Sequence, residues 1–268
     1  MIASLVNGIP GDQVSILDRG LQFGDGLFET LAVTRNRPCL WDAHMARLAS
    51  GCARLGISMP TADLLKQESR TLIGDHQQAV LKITLTRGCS ERGYAPGDAP
   101  VTRILSLFSW DGPAGQTLTI NIASQRLGVN PELAGLKHLN RLEQVLARRK
   151  LPPGARESIL LDINGQVVEG IAANLFLQQA DRLKTPALDN CGVAGVVRQL
   201  VMDTATEMNM TVEETQVQVE DLLNADALYL SSSLLGLCAV SAILDQDWRP
   251  SAASHPVIDS ARQRVFQP

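Results

Sequence analysis

Apolar and polar residues alternate strictly from Leu81 to Thr86. Leu81, Ile83 and Leu85 fall on one face of an extended chain and Lys82, Thr84 and Thr86 on the other, which predicts a half-buried strand over 79–88. The run TRILSLF (102–108) is its expected partner. A longer period governs 42–55, where Met45, Leu48, Cys52 and Leu55 recur every three or four residues. That spacing predicts a helix capped by Asp42 and stopped by Gly56, and a second helix follows over 62–73. Upstream, after a turn at Asn7–Gly8, LQFGDGLFETLAVTRNRPCLW (21–41) is expected to form strand pieces joined by glycines and an Arg-Asn-Arg-Pro turn.

The segment SWDGPAGQ (109–116) has the composition of a linker, which divides the chain into an N-terminal domain, 1–108, and a larger C-terminal domain, 117–268. Beyond it come a strand, TLTINIAS (117–124), and then AGLKHLNRLEQVLARRK (134–150). In the latter, Leu139, Leu142, Val145 and Leu146 predict the buried stripe of a helix that Lys137 opens. Two β-rich runs flank Asn164–Gly165, a strong hairpin signal. A helix is expected from Gly195 to Met208, with Val196, Leu200 and either Thr204 or Met208 inward. Strands are expected at 211–217 and 227–233, a short helix at 219–224 and a helical tail at 256–266. Strands and helices mix without a regular β-α-β spacing, so the expected class is α+β.

Composition narrows the functions open to such a fold. With 45% hydrophobic and 19% charged residues, the 268-residue chain can bury a substantial core. Its formal net charge of −4 argues against a nucleic-acid binder. The one basic cluster, 148–150, falls in the last turn of an expected helix, where cations complement the dipole. Five cysteines and four histidines are scattered without metal-ligand or disulfide spacing, so no metal is expected. No apolar run is long enough for a membrane span, and the first residues lack the pattern of a signal peptide. The expected setting is a reduced cytoplasm.

Lys137 is the residue with unexplained chemistry. It stands two residues after Gly135 and ahead of the amphipathic pattern, with Asn140 and Arg141 close by. A lysine at pKa about 10.4 is neutral only about once in 2,500 at pH 7, so nucleophilic use requires burial or a carbonyl cofactor. By sequence position alone the plainer reading is favoured for Lys137, a solvated lysine, and for Arg47, the polar face of its helix; Glu169 is equally a surface residue ending a hairpin, and Arg92 competes as a loop arginine in water.

The string GLKHLNRLEQVLAR (135–148) resembles the lysine segment of the fold-type IV pyridoxal-phosphate enzymes, in particular the bacterial aminodeoxychorismate lyases. The similarity runs in order through DRGLQFGDGLFET (18–30), HMARL (44–48), TRGCSERGY (86–94), VVEGIAANLF (167–176), GVAGVVRQ (192–199) and LSSSLLGLCAV (230–240). Each block is weak alone, and six in the same order make a specific match over nearly the whole chain.

This resemblance implies a two-domain fold with pyridoxal 5'-phosphate at the domain interface. Lys137 would bond the cofactor and later move protons, and Glu169 would face the pyridine nitrogen. Arg47, the amides of Val196 and Val197, and Ser232 or Ser233 would hold the phosphate. Asn140 would lie near the ring, in a role not assigned. The loop matching 86–96 would bind the substrate carboxylate from a partner subunit, which implies a homodimer. D-amino acid aminotransferases carry an arginine and a histidine in that loop and a tyrosine in the glycine-rich strand. Here Arg92 matches the arginine, but Tyr94 and Phe28 stand at the other two positions.

The implied reaction is therefore conversion of 4-amino-4-deoxychorismate to 4-aminobenzoate and pyruvate, a step of folate synthesis. Arg92 is the first choice for a substrate carboxylate, ahead of Arg87 and Arg103. The alternatives are a D- or branched-chain amino acid aminotransferase and, from another class, a non-catalytic dimer that binds the phosphate cofactor, or nothing, and acts as a carrier or scaffold.

Overall fold

The computed structural model describes every residue except Ala114, Gln116 and Ala253, so two positions of the expected linker lie outside the described residues. By internal contacts the chain divides into two units. The first holds Met1–Gly112, Lys137–Asn140 and Phe266–Pro268, and the second Pro113–Leu136 and Arg141–Val265. Lys137, expected on the C-terminal domain, thus groups with the first unit.

The first unit is built on a six-stranded sheet in the order β2-β1-β6-β5-β3-β4. Its strands are β1 (Ala3–Val6), β2 (Ile9–Pro10), β3 (Gly26–Thr34), β4 (Arg37–Pro38), β5 (Gln78–Thr86) and β6 (Thr102–Phe108), and every pairing is antiparallel. Two tight turns use left-handed backbone at both central positions, Asn7 and Gly8 (φ 52° and 83°) and Arg35 and Asn36 (φ 50° and 53°), matching the twist of a hairpin. The alternation in β5 is real: Leu81, Ile83 and Leu85 are fully buried, as are Leu105 and Leu107 on β6. Helix α1 (Arg19–Phe23), only five residues long, was not expected. Helix α2 spans Trp41–Leu55 and buries Met45, Leu48 and Cys52. It does not use Asp42 as its cap; Leu40 occupies that position in left-handed backbone, and Asp42 sits in the first turn facing the positive helix end. Helix α3 (Ala62–Ile73) is capped by Thr61, whose hydroxyl accepts from the Leu64 amide.

The second unit is built on an eight-stranded mixed sheet in the order β12-β11-β10-β13-β14-β7-β8-β9. Its strands are β7 (Thr117–Leu127), β8 (Glu157–Asp162), β9 (Val167–Gly170), β10 (Asn174–Gln179), β11 (Arg182–Pro186), β12 (Val212–Thr215), β13 (Ala227–Ser232) and β14 (Gly236–Ile243). A bridge between Val167 and Val217 links the two ends of this order, so the sheet curls around a core containing Ile120, Ile159, Leu175, Leu177, Leu228 and Leu230. The expected hairpin is present between β8 and β9. The Asp162 carboxylate accepts from the amides of Asn164 and Gln166, and Gly165 takes φ 83°. Helices α5 (Val196–Glu207), α6 (Val219–Leu223) and α7 (Pro256–Arg264) fall where the pattern placed them. In α5, Val196 and Val201 are buried, and of the two alternatives expected inward Thr204 is buried and Met208 exposed.

Helix α4 departs from expectation. It spans Leu142–Arg149, and Lys137 lies five residues before it in extended chain. Of its own residues only Ala147 is buried, whereas Leu142, Val145 and Leu146 are 75%, 52% and 39% exposed. The expected buried stripe is corrected: Leu139 precedes the helix, and Leu142, Val145 and Leu146 are not covered by any of the described residues.

Candidate active site

Lys137 is placed by strand pairing rather than by a helix. The Phe28 amide donates to the Lys137 carbonyl (3.0 Å) and the Leu139 amide to the Gly26 carbonyl (3.0 Å), around an antiparallel bridge between Leu27 and His138. The glycines of FGDG permit this approach. A Cβ on Gly26 would lie 2.3 Å from the Leu85 carbonyl oxygen and 2.8 Å from Leu139, and one on Gly24 would lie 2.4 Å from Asn140 Oδ1. Asn140 Nδ2 in turn donates to the Gly24 carbonyl (3.2 Å), so this side chain secures the strap to the first unit. The Lys137 side chain is half-buried, with Nζ 4.4 Å from the centre of the Phe28 ring. An ammonium over an aromatic face is held by the ring quadrupole while staying near the surface.

Beneath this strand lies a buried ionic network. Glu29 Oε1 accepts from Arg47 Nε (2.8 Å), Oε2 accepts from Arg47 Nη2, and His44 Nδ1 lies 2.6 Å from Oε2. Burial alone would push the Glu29 carboxyl up, but the Arg47 guanidinium and His44 outweigh it and hold it down at about 2. Burial pushes the His44 imidazole below its ordinary value; Glu29 opposes this, and the positive charges of Arg47 and Lys137 reinforce it. One buried histidine therefore feels both cations that the resemblance implies for the cofactor.

In the second unit the corresponding feature is Glu169. It is buried at the end of β9, and its Oε2 accepts from the Val193 amide (2.9 Å) and from Asn174 Nδ2 (3.5 Å). Asn174 Nδ2 also donates to the Val193 carbonyl (2.8 Å), and its Oδ1 would lie 2.0 Å from any Cβ on Gly195. Gly195 is the N-cap of α5, so Asn174 ties the carboxylate to the helix start. The amides of Val196 and Val197 are in the first turn, where a helix leaves N–H groups without internal partners and favours an anion. Ser232 Oγ accepts from the Leu235 amide (3.1 Å), which orients the hydroxyl at the end of β13; Ser233, the alternative, follows it and is half-buried.

Substrate candidates separate by their partners. Arg87 is taken by Asp25 (Nε to Oδ2, 2.7 Å) and by the carbonyls of Leu55 and Gly56 at the end of α2. Arg103 is paired with Glu68 (2.8 Å). Both are already paired with carboxylates, which keeps Arg92 the first choice for a substrate carboxylate. Arg92 and Tyr94 are exposed, Tyr94 by 87%, on a loop between β5 and β6. Lys82 was missed. It is half-buried on β5, has no ion-pair partner among the described residues, and places Nζ 5.2 Å from the same Phe28 ring that Lys137 approaches. Its polar place in the 81–86 alternation was visible, but the pairing of Thr30 with Lys82 that sets it beside Phe28 was not.

The sequence matches the family model of amino-transferase class IV over residues 26–243. The chain belongs to the class IV aminotransferase family. Within that family it is 33% identical over 247 residues to an aminodeoxychorismate lyase of Vibrio harveyi, covering 89% of this chain and 90% of that protein. It is 26% identical over 242 residues to a D-alanine aminotransferase of Bacillus licheniformis, covering 86% and 82%. The crystal structure of 4-amino-4-deoxychorismate lyase from Pseudomonas aeruginosa superposes with a TM-score of 0.88 at 38% identity, covering 98% of this chain and all of that one. The class IV fold, with its two sheets, is the α+β architecture expected.

Proposed function

We propose that this class IV protein is a pyridoxal-phosphate-dependent lyase that converts 4-amino-4-deoxychorismate to 4-aminobenzoate and pyruvate, in folate synthesis. The observation that carries this reading is the near full-length likeness to lyases at 33% and 38% identity, against 26% for the D-alanine aminotransferase. Phe28 supports it, because a ring without a hydroxyl cannot complete the carboxylate trap expected of a D-amino acid aminotransferase.

The residues fit the cofactor by their chemistry. A half-buried amine, a buried carboxylate fixed by a backbone amide, an arginine and an uncapped helix start are the donors and acceptors that an aldehyde, a pyridinium and a phosphate require. When bound, pyridoxal phosphate supplies an electron-withdrawing ring that stabilises the charge left as the substrate's C4 proton departs. Glu169 holds a proton on the ring nitrogen. Arg47, Val196, Val197 and Ser232 or Ser233 hold the phosphate. Lys137 Nζ is the base that takes the C4 proton; the bond from the neighbouring carbon to the enolpyruvyl oxygen then breaks, leaving an aromatic ring, and the departing enolpyruvate gains a proton at its methylene carbon to become pyruvate. Positioning is the main requirement, since aromatisation drives the elimination. One substrate carboxylate is assigned to Lys82 and the second to Arg92.

We further assign a homodimer to the cytoplasm. The uncovered Leu142, Val145 and Leu146 of α4 in one unit, and Ile16 and Leu21 in the other, are the apolar surface that a second copy would cover. Among the described residues no helix is long and apolar enough to cross a membrane.

The test is the visible spectrum of the purified protein, followed by borohydride reduction and peptide mapping. A visible band, with the cofactor fixed to the peptide containing Lys137, supports the reading. A protein that stays colourless with added pyridoxal phosphate overturns it and returns the non-catalytic dimer. Keto-acid formation from amino acids, without 4-aminobenzoate from aminodeoxychorismate, would favour the aminotransferase.

A further inference from the structure

The DRGLQFGDG segment contains a charge that the proposed chemistry leaves unused. Arg19 is 4% exposed, yet its guanidinium is not spent on a single carboxylate. Nε donates to Asp25 Oδ2 (2.8 Å). Nη1 donates to Ser90 Oγ (3.0 Å) and to the carbonyls of Gly93 (3.1 Å) and Ala95 (3.3 Å), while Nη2 donates to the Tyr94 carbonyl (3.0 Å). One planar fork thus gathers three consecutive carbonyls of the loop between β5 and β6. The Arg19 amide adds a bond to the Gly88 carbonyl (2.9 Å), and Asp25 holds Arg87 at the root of the same loop.

This loop has no strand or helix of its own from Glu91 to Val101. An irregular segment with exposed side chains would ordinarily sample many conformations, at roughly 1–2 kcal/mol of backbone entropy per residue fixed. Here the backbone is pinned while the Arg92 and Tyr94 side chains face outward. The Tyr94 ring rests against Phe23 (centroids 5.6 Å apart), and Phe23 lies 4.9 Å from the Arg19 guanidinium. A rigid backbone under exposed side chains suits presentation to a ligand, since the ordering cost is met before binding.

We propose that Arg19 is a positioning residue for substrate recognition. By collecting the Gly93–Ala95 carbonyls it fixes the direction in which Arg92 and Tyr94 are offered to a substrate carboxylate. The inference rests on the lyase reading and on the substrate role of this loop. An ammonium at the same place cannot reproduce a planar fork with five donors, so Arg19→Lys keeps the charge and loses the geometry.

The test compares the holoenzyme with R19K, R92A and S90A, the last removing one accepting group at a half-buried site and so guarding against a variant that fails to fold. Amide exchange across 90–96 measures the clamp without substrate, and steady-state kinetics measure its consequence. The expectation is faster exchange in that loop, with β3 and β5 unchanged. KM should rise about tenfold for R19K and about twofold for S90A, with kcat and the cofactor spectrum retained, the signature of lost uniform binding. If R92A raises KM but R19K and S90A leave KM and loop exchange as in the parent, Arg19 is structural only and the proposal is overturned. If R92A itself leaves KM unchanged, the loop's substrate role fails, and the positioning role falls with it. Absence of any lyase activity in the parent would instead strike the functional reading.

Discussion

Two buried glutamates, one in each unit, are stabilised in opposite ways. Glu29 is matched by a fixed cation: Arg47 pairs with its carboxylate, and the His44 imidazole contacts it as well. Glu169 takes its fixed position from the Val193 amide and the Asn174 side chain, close to the start of α5. The first arrangement saturates the carboxylate and holds an arginine still. The second fixes one carboxylate oxygen with two neutral donors, the Val193 amide and Asn174 Nδ2, beside a helix start, the setting in which the proposed function has it serve a cationic ring nitrogen. Burial of an acid is therefore uninformative alone; what neutralises it separates scaffold from chemistry.

Removing Lys137 should produce the largest effect. Lys137→Ala is expected to lower the rate of 4-aminobenzoate formation by about 10⁴-fold, near the upper range for a positioned base, with the melting temperature nearly unchanged. Glu169→Gln comes next, since it keeps the shape and removes the charge proposed to hold the ring nitrogen protonated. A fall of about 10²-fold in kcat with an unchanged melting temperature is expected. A large loss of stability in that variant would place Glu169 with Glu29 as a structural acid.

Glu29→Gln should invert that pattern, because it strands Arg47 without its counter-charge and alters the hydrogen bond to His44. A loss of about 3 kcal/mol in unfolding free energy is expected by denaturant titration, with weaker cofactor binding as Arg47 loosens. If activity collapsed while stability held, the contrast between the two acids would be wrong.

Acidification should give the most gradual effect. The folded Glu29 carboxyl titrates at about 2 against an ordinary 4.5, so its contribution is present above 4.5 and lost as pH falls toward 2. Asp25 acts in the same direction: burial opposes it, but Arg87 and Arg19 hold its carboxyl below the usual 3.8. The His44 imidazole is also held below its ordinary 6.5, so the unfolded chain takes up that proton first and stability begins to fall below about 6.5. Thermal melts from pH 8 to 3 should show both stages in the parent, and Glu29→Gln should flatten the lower one.

What was legible in the sequence is what local chemistry decides. The β5 alternation, the Asn164–Gly165 hairpin and the α2 and α5 periodicities each lie within one short window. Lys137 was found through its segment, but its setting was misread, because its partners Gly26 and Phe28 are more than 100 residues away and pair with it only in the fold. Leu142, Val145 and Leu146 obey the period of a buried stripe, and the sequence does not show that their cover is absent from this chain. Arg87 and Arg103 were plausible substrate residues until their carboxylate partners were seen, and Lys82 was overlooked for the same reason in reverse.

The most direct measurement of the central claim is the product balance when purified protein with pyridoxal phosphate is given 4-amino-4-deoxychorismate. The account predicts 4-aminobenzoate and pyruvate in equal amounts, lost together in Lys137→Ala. Substrate left intact, by a protein that instead forms keto acids from D- or L-amino acids, would contradict it.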